Sequence, residues 1–167
     1  MKRVITGLLV VGLLWGAALA QAQEKKVALS LNLGIQTNLW KGTSFDLTQG
    51  TLDVRAGIRL GRSFEISPEF MYVTTHKFHL DYGYLYPGVV INYVAKSFFV
   101  GAGAVLPITY GGGETNSGNP APKFNIGYVN NHIMLTAYII MWTESDPYGE
   151  FNFPHFNFIG ATVGYRF

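Results

Sequence analysis

Between Val27 and Phe167 apolar side chains return at every second position in one segment after another, and no stretch there carries the 3.6-residue period of an amphipathic helix. In VALSLNLGI, Val27, Leu29, Leu31, Leu33 and Ile35 share a face, with Ala28, Ser30, Asn32 and Gly34 opposite. TLDVRAGIRL sets Leu52, Val54, Ala56, Ile58 and Leu60 against Asp53, Arg55, Gly57 and Arg59, and after a turn at Gly61-Arg62-Ser63 a third strand sets Phe64, Ile66, Pro68, Phe70 and Tyr72 against Glu65, Ser67, Glu69 and Met71. The fourth, Tyr82 to Val94, places Leu85, Pro87, Val89, Ile91 and Tyr93 together, a phase that a bulge near Pro87-Gly88 would change. The fifth runs from Phe98 to Tyr110, and the sixth has Phe124, Ile126 and Tyr128 against Asn125 and Gly127. The seventh, His132 to Thr143, is apolar on both faces, with Ile133, Leu135, Ala137 and Ile139 assigned outward; the eighth sets Ile159, Ala161, Val163, Tyr165 and Phe167 against Gly160, Thr162, Gly164 and Arg166. Eight strands of alternating character predict an all-β, antiparallel, up-and-down fold.

The connections alternate in length. Gly61 to Ser63, Ala95 to Ser97 and Asn130 to His132 are short, whereas Lys41 to Gly50, Thr75 to Asp81, Gly111 to Pro122 and Ser145 to Phe153 are longer and rich in Gly, Asn, Pro, Ser or Asp. Barrels of outer membranes pair short periplasmic turns with longer external loops in this way. Upstream, Met1-Lys2-Arg3, an apolar run from Val4 to Ala20 and the small-residue pattern Ala18-Leu19-Ala20, repeated as Ala20-Gln21-Ala22, have the order of a Sec signal peptide. Residues 1–22 are therefore expected to be a signal, cleaved after Ala20 or Ala22, and 23–167 a single domain. The chain has no cysteine, which excludes a lipid-modified N-terminal cysteine and any disulfide brace.

Alternation leaves open which face points inward, since a soluble lipocalin-like barrel alternates as well. Composition decides it. Charged residues are 13% of the chain against 49% hydrophobic and 15% aromatic, where a soluble surface carries roughly 25 to 35% charge. The less apolar face is built of Gly, Ala, Ser, Thr and Asn, which suit a narrow interior, and a closed barrel satisfies its backbone hydrogen bonds within lipid. Phe64, Tyr93, Phe98, Tyr128, Tyr165 and Phe167 fall near one set of strand ends and Tyr72 and Tyr110 near the other, as interfacial girdles would. The expectation is an eight-stranded transmembrane β-barrel in a Gram-negative-type outer membrane, its apolar face in contact with lipid. Twelve Lys and Arg oppose ten Asp and Glu, and loss of Lys2 and Arg3 with the signal brings them to parity, so no basic footprint for nucleic acid exists.

The end of the chain, ATVGYRF, carries a resemblance. Phe167 preceded by Tyr165 and Val163 on one face is similar to the C-terminal signal by which outer-membrane barrels engage their assembly machinery, and the eight-strand plan resembles the OmpA and OmpX-type small barrels. The resemblance implies outer-membrane lipid and the assembly machinery as partners, the latter through Val163, Tyr165 and Phe167. It does not extend to a peptidoglycan-binding domain and identifies no external ligand.

Four interior charges form the sharpest constellation. In a hairpin centred on Arg62, Arg59 opposes Glu65 and Arg55 opposes Glu69, all with the parity of the inward face. Two ion pairs are expected there, since an unpaired interior charge is costly. They would either plug the lumen or gate a narrow channel. If Arg59 holds Glu65, Arg59→Ala should cost about 3 to 5 kcal/mol.

No catalytic constellation, cofactor site or metal site is read from the sequence. His76 and His79 with Asp81 fall short of the three or four converging ligands zinc takes and read as a polar loop; His132 and His155 stand singly near strand ends. The Ser, His and acidic residues do not assemble on one strand as the triad of a lipid A deacylase would suggest, and GGGETNSGNPAP reads as a flexible loop. The expected role is that of a structural or surface-interaction barrel, not an enzyme. The alternatives are a porin-like narrow pore for small or apolar solutes and a lipid A-modifying enzyme.

Overall fold

The computed structural model describes residues 27–38, 49–74, 82–142 and 155–167, with backbone alone at 38, 142 and 155–157. The expected signal segment and most of the longer loops lie outside these residues. Ten strands follow in order: β1 (Val27–Asn38), β2 (Gln49–Leu60), β3 (Phe64–Thr74), β4 (Tyr82–Ala95), β5 (Phe98–Val105), β6 (Ile108–Gly111), β7 (Glu114–Ser117), β8 (Ala121–Val129), β9 (Ile133–Trp142) and β10 (His155–Arg166).

All pairings are antiparallel, and β1 pairs with β10 as well as with β2, so the sheet closes on itself. Both β5 and β6 pair with β4, β5 pairs with β8 and β6 with β7. They are the lower and upper parts of two neighbouring staves, and the ring is a closed eight-stranded antiparallel barrel. The apolar face points outward: Leu33 and Ile126 are each 61% exposed, while Asn32, Asp53, Tyr86 and Lys123 on the opposite face are fully buried. The outward phases assigned to the fourth and seventh strands hold, and the β3–β4 register runs through Pro87-Gly88 without a bulge.

Two expectations are corrected. The fifth strand is not continuous from Phe98 to Tyr110, because it breaks at Leu106-Pro107, where proline has no backbone N–H to give the ladder. The supposed loop from Gly111 to Pro122 is largely a hairpin. Gly112 and Gly113, at φ 58° and 86°, make the two-residue turn that a right-twisted hairpin prefers, and Thr109 Oγ1 donates to the Asn116 carbonyl across it at 3.2 Å. Hydrogen bonds continue past the break, with Leu106 N donating to the Pro87 carbonyl and Gly118 N to the Pro107 carbonyl, each at 2.8 Å.

Aromatic side chains mark both rims. At the short-turn rim Phe64 meets Tyr93 edge-on and Phe98 meets Tyr128 likewise, both with centroids 5.6 Å apart, and Tyr165 meets Phe167 at 5.0 Å. At the other rim the rings of Tyr72 and Tyr110 stack at 6.2 Å, and the Tyr110 hydroxyl donates to that of Tyr72 at 2.8 Å. Amphipathic rings favour the headgroup level.

Candidate functional site: the charged lumen

Strand alternation sends Asp53 and Arg55 of β2, Glu69 of β3 and Lys123 of β8 into the barrel centre, where their side chains are between 0% and 2% exposed. Arg55 Nε donates to Asp53 Oδ2 at 2.6 Å, Arg55 Nε also stands 3.3 Å from Glu69 Oε2, and Lys123 Nζ donates to Glu69 Oε1 at 2.6 Å. The four form a chain of alternating sign, two cations and two anions, with no net charge. Lys123 reaches Glu69 across two intervening staves. Gly88 of β4 opposes Glu69 and Gly103 of β5 opposes Lys123, so on the side where each faces the other its ladder neighbour carries no side chain. The Lys123 ammonium also lies over the Tyr138 ring, 4.7 Å from its centroid, and the Tyr138 hydroxyl donates to Gln36 Oε1 at 3.0 Å.

A second pair stands nearer the short-turn rim. Arg166 Nη2 of β10 donates to Glu65 Oε2 at 2.7 Å, Ser67 donates to Glu65 Oε1 at 3.2 Å, and Asn92 Nδ2 donates to Ser67 at 2.9 Å. Of the four charges singled out in the sequence, the structure brings Arg55 and Glu69 together. It does not bring Arg59 to Glu65 as an ion pair. Those two residues are opposed in the ladder, but Arg59 lies at the strand end with its side chain exposed, and the Glu65 carboxylate is held from across the lumen by Arg166. Arg59→Ala therefore strands no buried charge.

Apolar side chains close over the charges at both ends. Toward the longer loops Met71, Val73, Tyr86, Val105, Tyr138 and Ile140 belong to one buried cluster, and toward the short turns Val94, Phe99, Val129 and Met134 form another. An open groove of about 690 Å³ lies on the outside, lined by Ala137 and Ala161 between Ile35, Ile126 and Val163, and is part of the apolar belt.

Other sequence candidates stay dispersed. His76, His79 and Asp81 lie outside the described residues, as does the side chain of His155. His132 stacks on Tyr165 with centroids 5.7 Å apart. Among the described residues no three His, Cys, Asp or Glu converge as metal ligands. Val163, Tyr165 and Phe167 are outward and 56%, 51% and 73% exposed.

Lys123 is an interior charge that lies just outside the sixth strand as its alternation defines it, Phe124 to Tyr128, although its spacing of two from Asn125 gives it the inward parity. Asp53 and Arg166 were placed on the inward face, but nothing in a hairpin register says what lies across a lumen.

No protein-family model and no curated protein matches the chain. Among solved structures, Neisserial surface protein A is similar with a TM-score of 0.59 at 12% identity, over 84% of this chain and 96% of that one. Ail, the attachment invasion locus protein of Yersinia pestis, has a TM-score of 0.47 at 12% identity, over 84% of this chain and 97% of that one. With its oily exterior, its polar core and a ring closed between first and last strand, the chain has the fold of the small eight-stranded outer-membrane β-barrels.

Proposed function

We propose that the protein is an exported outer-membrane barrel with a structural or surface-interaction role, its lumen plugged by its own side chains and its longer loops presented outside. The observation that carries this reading is the charge-neutral chain Asp53-Arg55-Glu69-Lys123, buried inside a cylinder whose exterior is apolar. An eight-stranded barrel has an interior just wide enough to be filled by side chains, and this one is filled by polar groups in the middle and apolar groups at each end. The strands, mostly of 9 to 14 residues, suit tilted passage through a bilayer. Neisserial surface protein A, which shares the fold, is by name a surface protein. In this reading residues 1–22 direct export, and Val163, Tyr165 and Phe167 on the outward face of the last strand engage the assembly machinery.

Two measurements test it. The protein recovered from an outer-membrane fraction should migrate faster on a gel before boiling than after, and planar bilayers containing it should show no discrete conductance steps. Absence from that fraction would overturn the location; reproducible unitary steps would replace the plug with the pore. Mass spectrometry of lipid A with and without expression should give one acyl pattern, and a changed pattern would make the barrel an enzyme.

A further inference from the structure

Charge on this barrel is sorted by end. Arg59 stands near the end of β2, Arg62 sits at the centre of the β2–β3 turn and Lys96 sits in the β4–β5 turn, all three exposed. The two turns are neighbours, because Phe64 pairs with Tyr93 and Val94 N donates to the Ser63 carbonyl at 2.7 Å. Lys96 adopts φ 58°, part of the tight reversal that sets it at the hairpin tip. Arg59 faces Glu65 in the ladder, but Glu65 is engaged by Arg166, so the Arg59 charge stays unspent. Among the described residues no acidic side chain is exposed at this rim. Among the described residues these three are the exposed cations of this rim: the remaining turn, Asn130-Asn131-His132, carries no Lys or Arg, and Arg166 is engaged by Glu65, while Glu24, Lys25 and Lys26 precede β1 in the sequence.

The opposite end has the opposite sign. Glu114 is exposed at the tip of the β6–β7 hairpin, and the segments joining the strand ends at that rim contain Asp46, Asp81, Glu144, Asp146 and Glu150 against Lys41 and Lys77. A chain whose charges reach parity once Lys2 and Arg3 leave with the expected signal thus carries a basic arc at one rim and acidic connections at the other.

We propose that Arg59, Arg62 and Lys96 form a binding arc for the phosphate headgroups of anionic phospholipid in the periplasmic leaflet, an inference that rests on the outer-membrane reading above. Lipid is favoured over an acidic protein by what lies beside the arc. Leu60 and Phe64 are each 51% exposed, Tyr93 48% and Phe98 67%, all facing outward. The turn residues Arg62 and Lys96 therefore stand at the edge of the surface that meets acyl chains, at the level of interfacial aromatic rings, where long basic side chains keep their stems in the apolar layer and their charges among phosphates, and Arg59, of inward parity but exposed at the end of β2, adds its charge at the same rim. Each cation so placed strengthens attraction to an anionic surface by about five-fold, and the effect weakens as salt screens it.

The test uses the full barrel, expressed with its own leader, extracted from membranes and exchanged into micelles with equal phosphatidylglycerol and phosphatidylethanolamine. Native mass spectrometry then counts the lipids it retains. The parent should favour phosphatidylglycerol by about tenfold or more at low salt. Arg59→Gln/Arg62→Gln/Lys96→Gln should bring the ratio close to one, and the control Lys41→Gln/Lys77→Gln should leave it unchanged. An unchanged preference in the triple variant, or an equal loss in the control, would overturn the assignment. So would a parent without lipid preference that instead bound a polyglutamate peptide through the arc, which would give the surface to an acidic partner. Heat-modifiable migration is read on every sample: a parent that is heat-modifiable but indifferent to headgroup refutes the arc alone, whereas a parent that never forms a heat-modifiable barrel refutes the membrane reading beneath it.

Discussion

Replacing Arg55 with Met removes one positive charge from the neutral interior chain while keeping a long apolar side chain in place. Arg55 is 1% exposed and is the cation within hydrogen-bonding distance of Asp53. Glu69, by contrast, keeps Lys123 at 2.6 Å when Arg55 is gone. The variant therefore strands one carboxylate. Breaking a buried ion pair from one side costs about 3 to 5 kcal/mol, chiefly through the charge left behind, and that is the expected loss for Arg55→Met. The same reasoning says how to recover it. Asp53→Asn takes away the stranded charge at nearly constant volume and leaves Glu69 with Lys123 as a neutral pair, so Asp53→Asn/Arg55→Met should be more stable than Arg55→Met alone. The coupling across the cycle should be at least about 2 kcal/mol. Urea titration of the barrel folded in detergent micelles, followed in parallel by tryptophan emission and by heat-modifiable migration, measures all four proteins. If Arg55→Met unfolded at the parent's midpoint, the charges would be hydrated rather than buried. If the double variant cost the sum of the two single changes, Asp53 and Arg55 would be independent, and the neutral chain would be no unit.

Arg166→Gln should cost about 2 to 3 kcal/mol in the same titration, less than a fully buried partner because the Arg166 side chain keeps 11% exposure, whereas Arg59→Gln should leave the midpoint in place. The reverse order would return Glu65 to its ladder neighbour. On the outer face the cost of a charge should depend on depth: Ile126→Arg, in the middle of β8, should cost about 2 to 4 kcal/mol in lipid and Tyr128→Arg, at the rim, about 0 to 1. Equal costs at the two positions would mean that no hydrocarbon layer surrounds the barrel.

The exterior was legible in the sequence because period-two alternation is a local property. Leu31, Leu33 and Ile35 declare their shared face within five residues, and every neighbouring strand must agree with them or leave an oily face in the lumen. The Arg55–Glu69 contact was legible for a related reason, since a three-residue turn fixes the register of β2 against β3. Contacts across the lumen obey no such rule. Arg166 and Glu65 sit on staves separated by β1 and β2, and their meeting depends on how the ring closes, on its diameter, and on Arg59 standing too near the rim to turn back inward. The β6–β7 hairpin was hidden for a different reason. Glu114 to Ser117 has no apolar alternation, since a strand projecting past the lipid belt has no oily layer to face, and it is held by its backbone ladder and a glycine turn.

The same division bears on where this protein can act. A solute crossing the lumen would have to part Met71, Tyr86 and Tyr138, separate Lys123 from Glu69 or Arg55 from Asp53, and then pass Phe99 and Met134. Those steps are coupled, because the charges are neutral only as a set. Opening one pair leaves its partners in an interior with little water, and a channel that conducts easily cannot be built on interactions that are costly to break singly. On the proposed reading the interior charges serve closure and the side of the barrel faces lipid. That reading leaves recognition to the two rims, and their opposite signs would divide the work: a basic arc suited to phosphate at one, and acidic connections at the other that an anionic surface would repel.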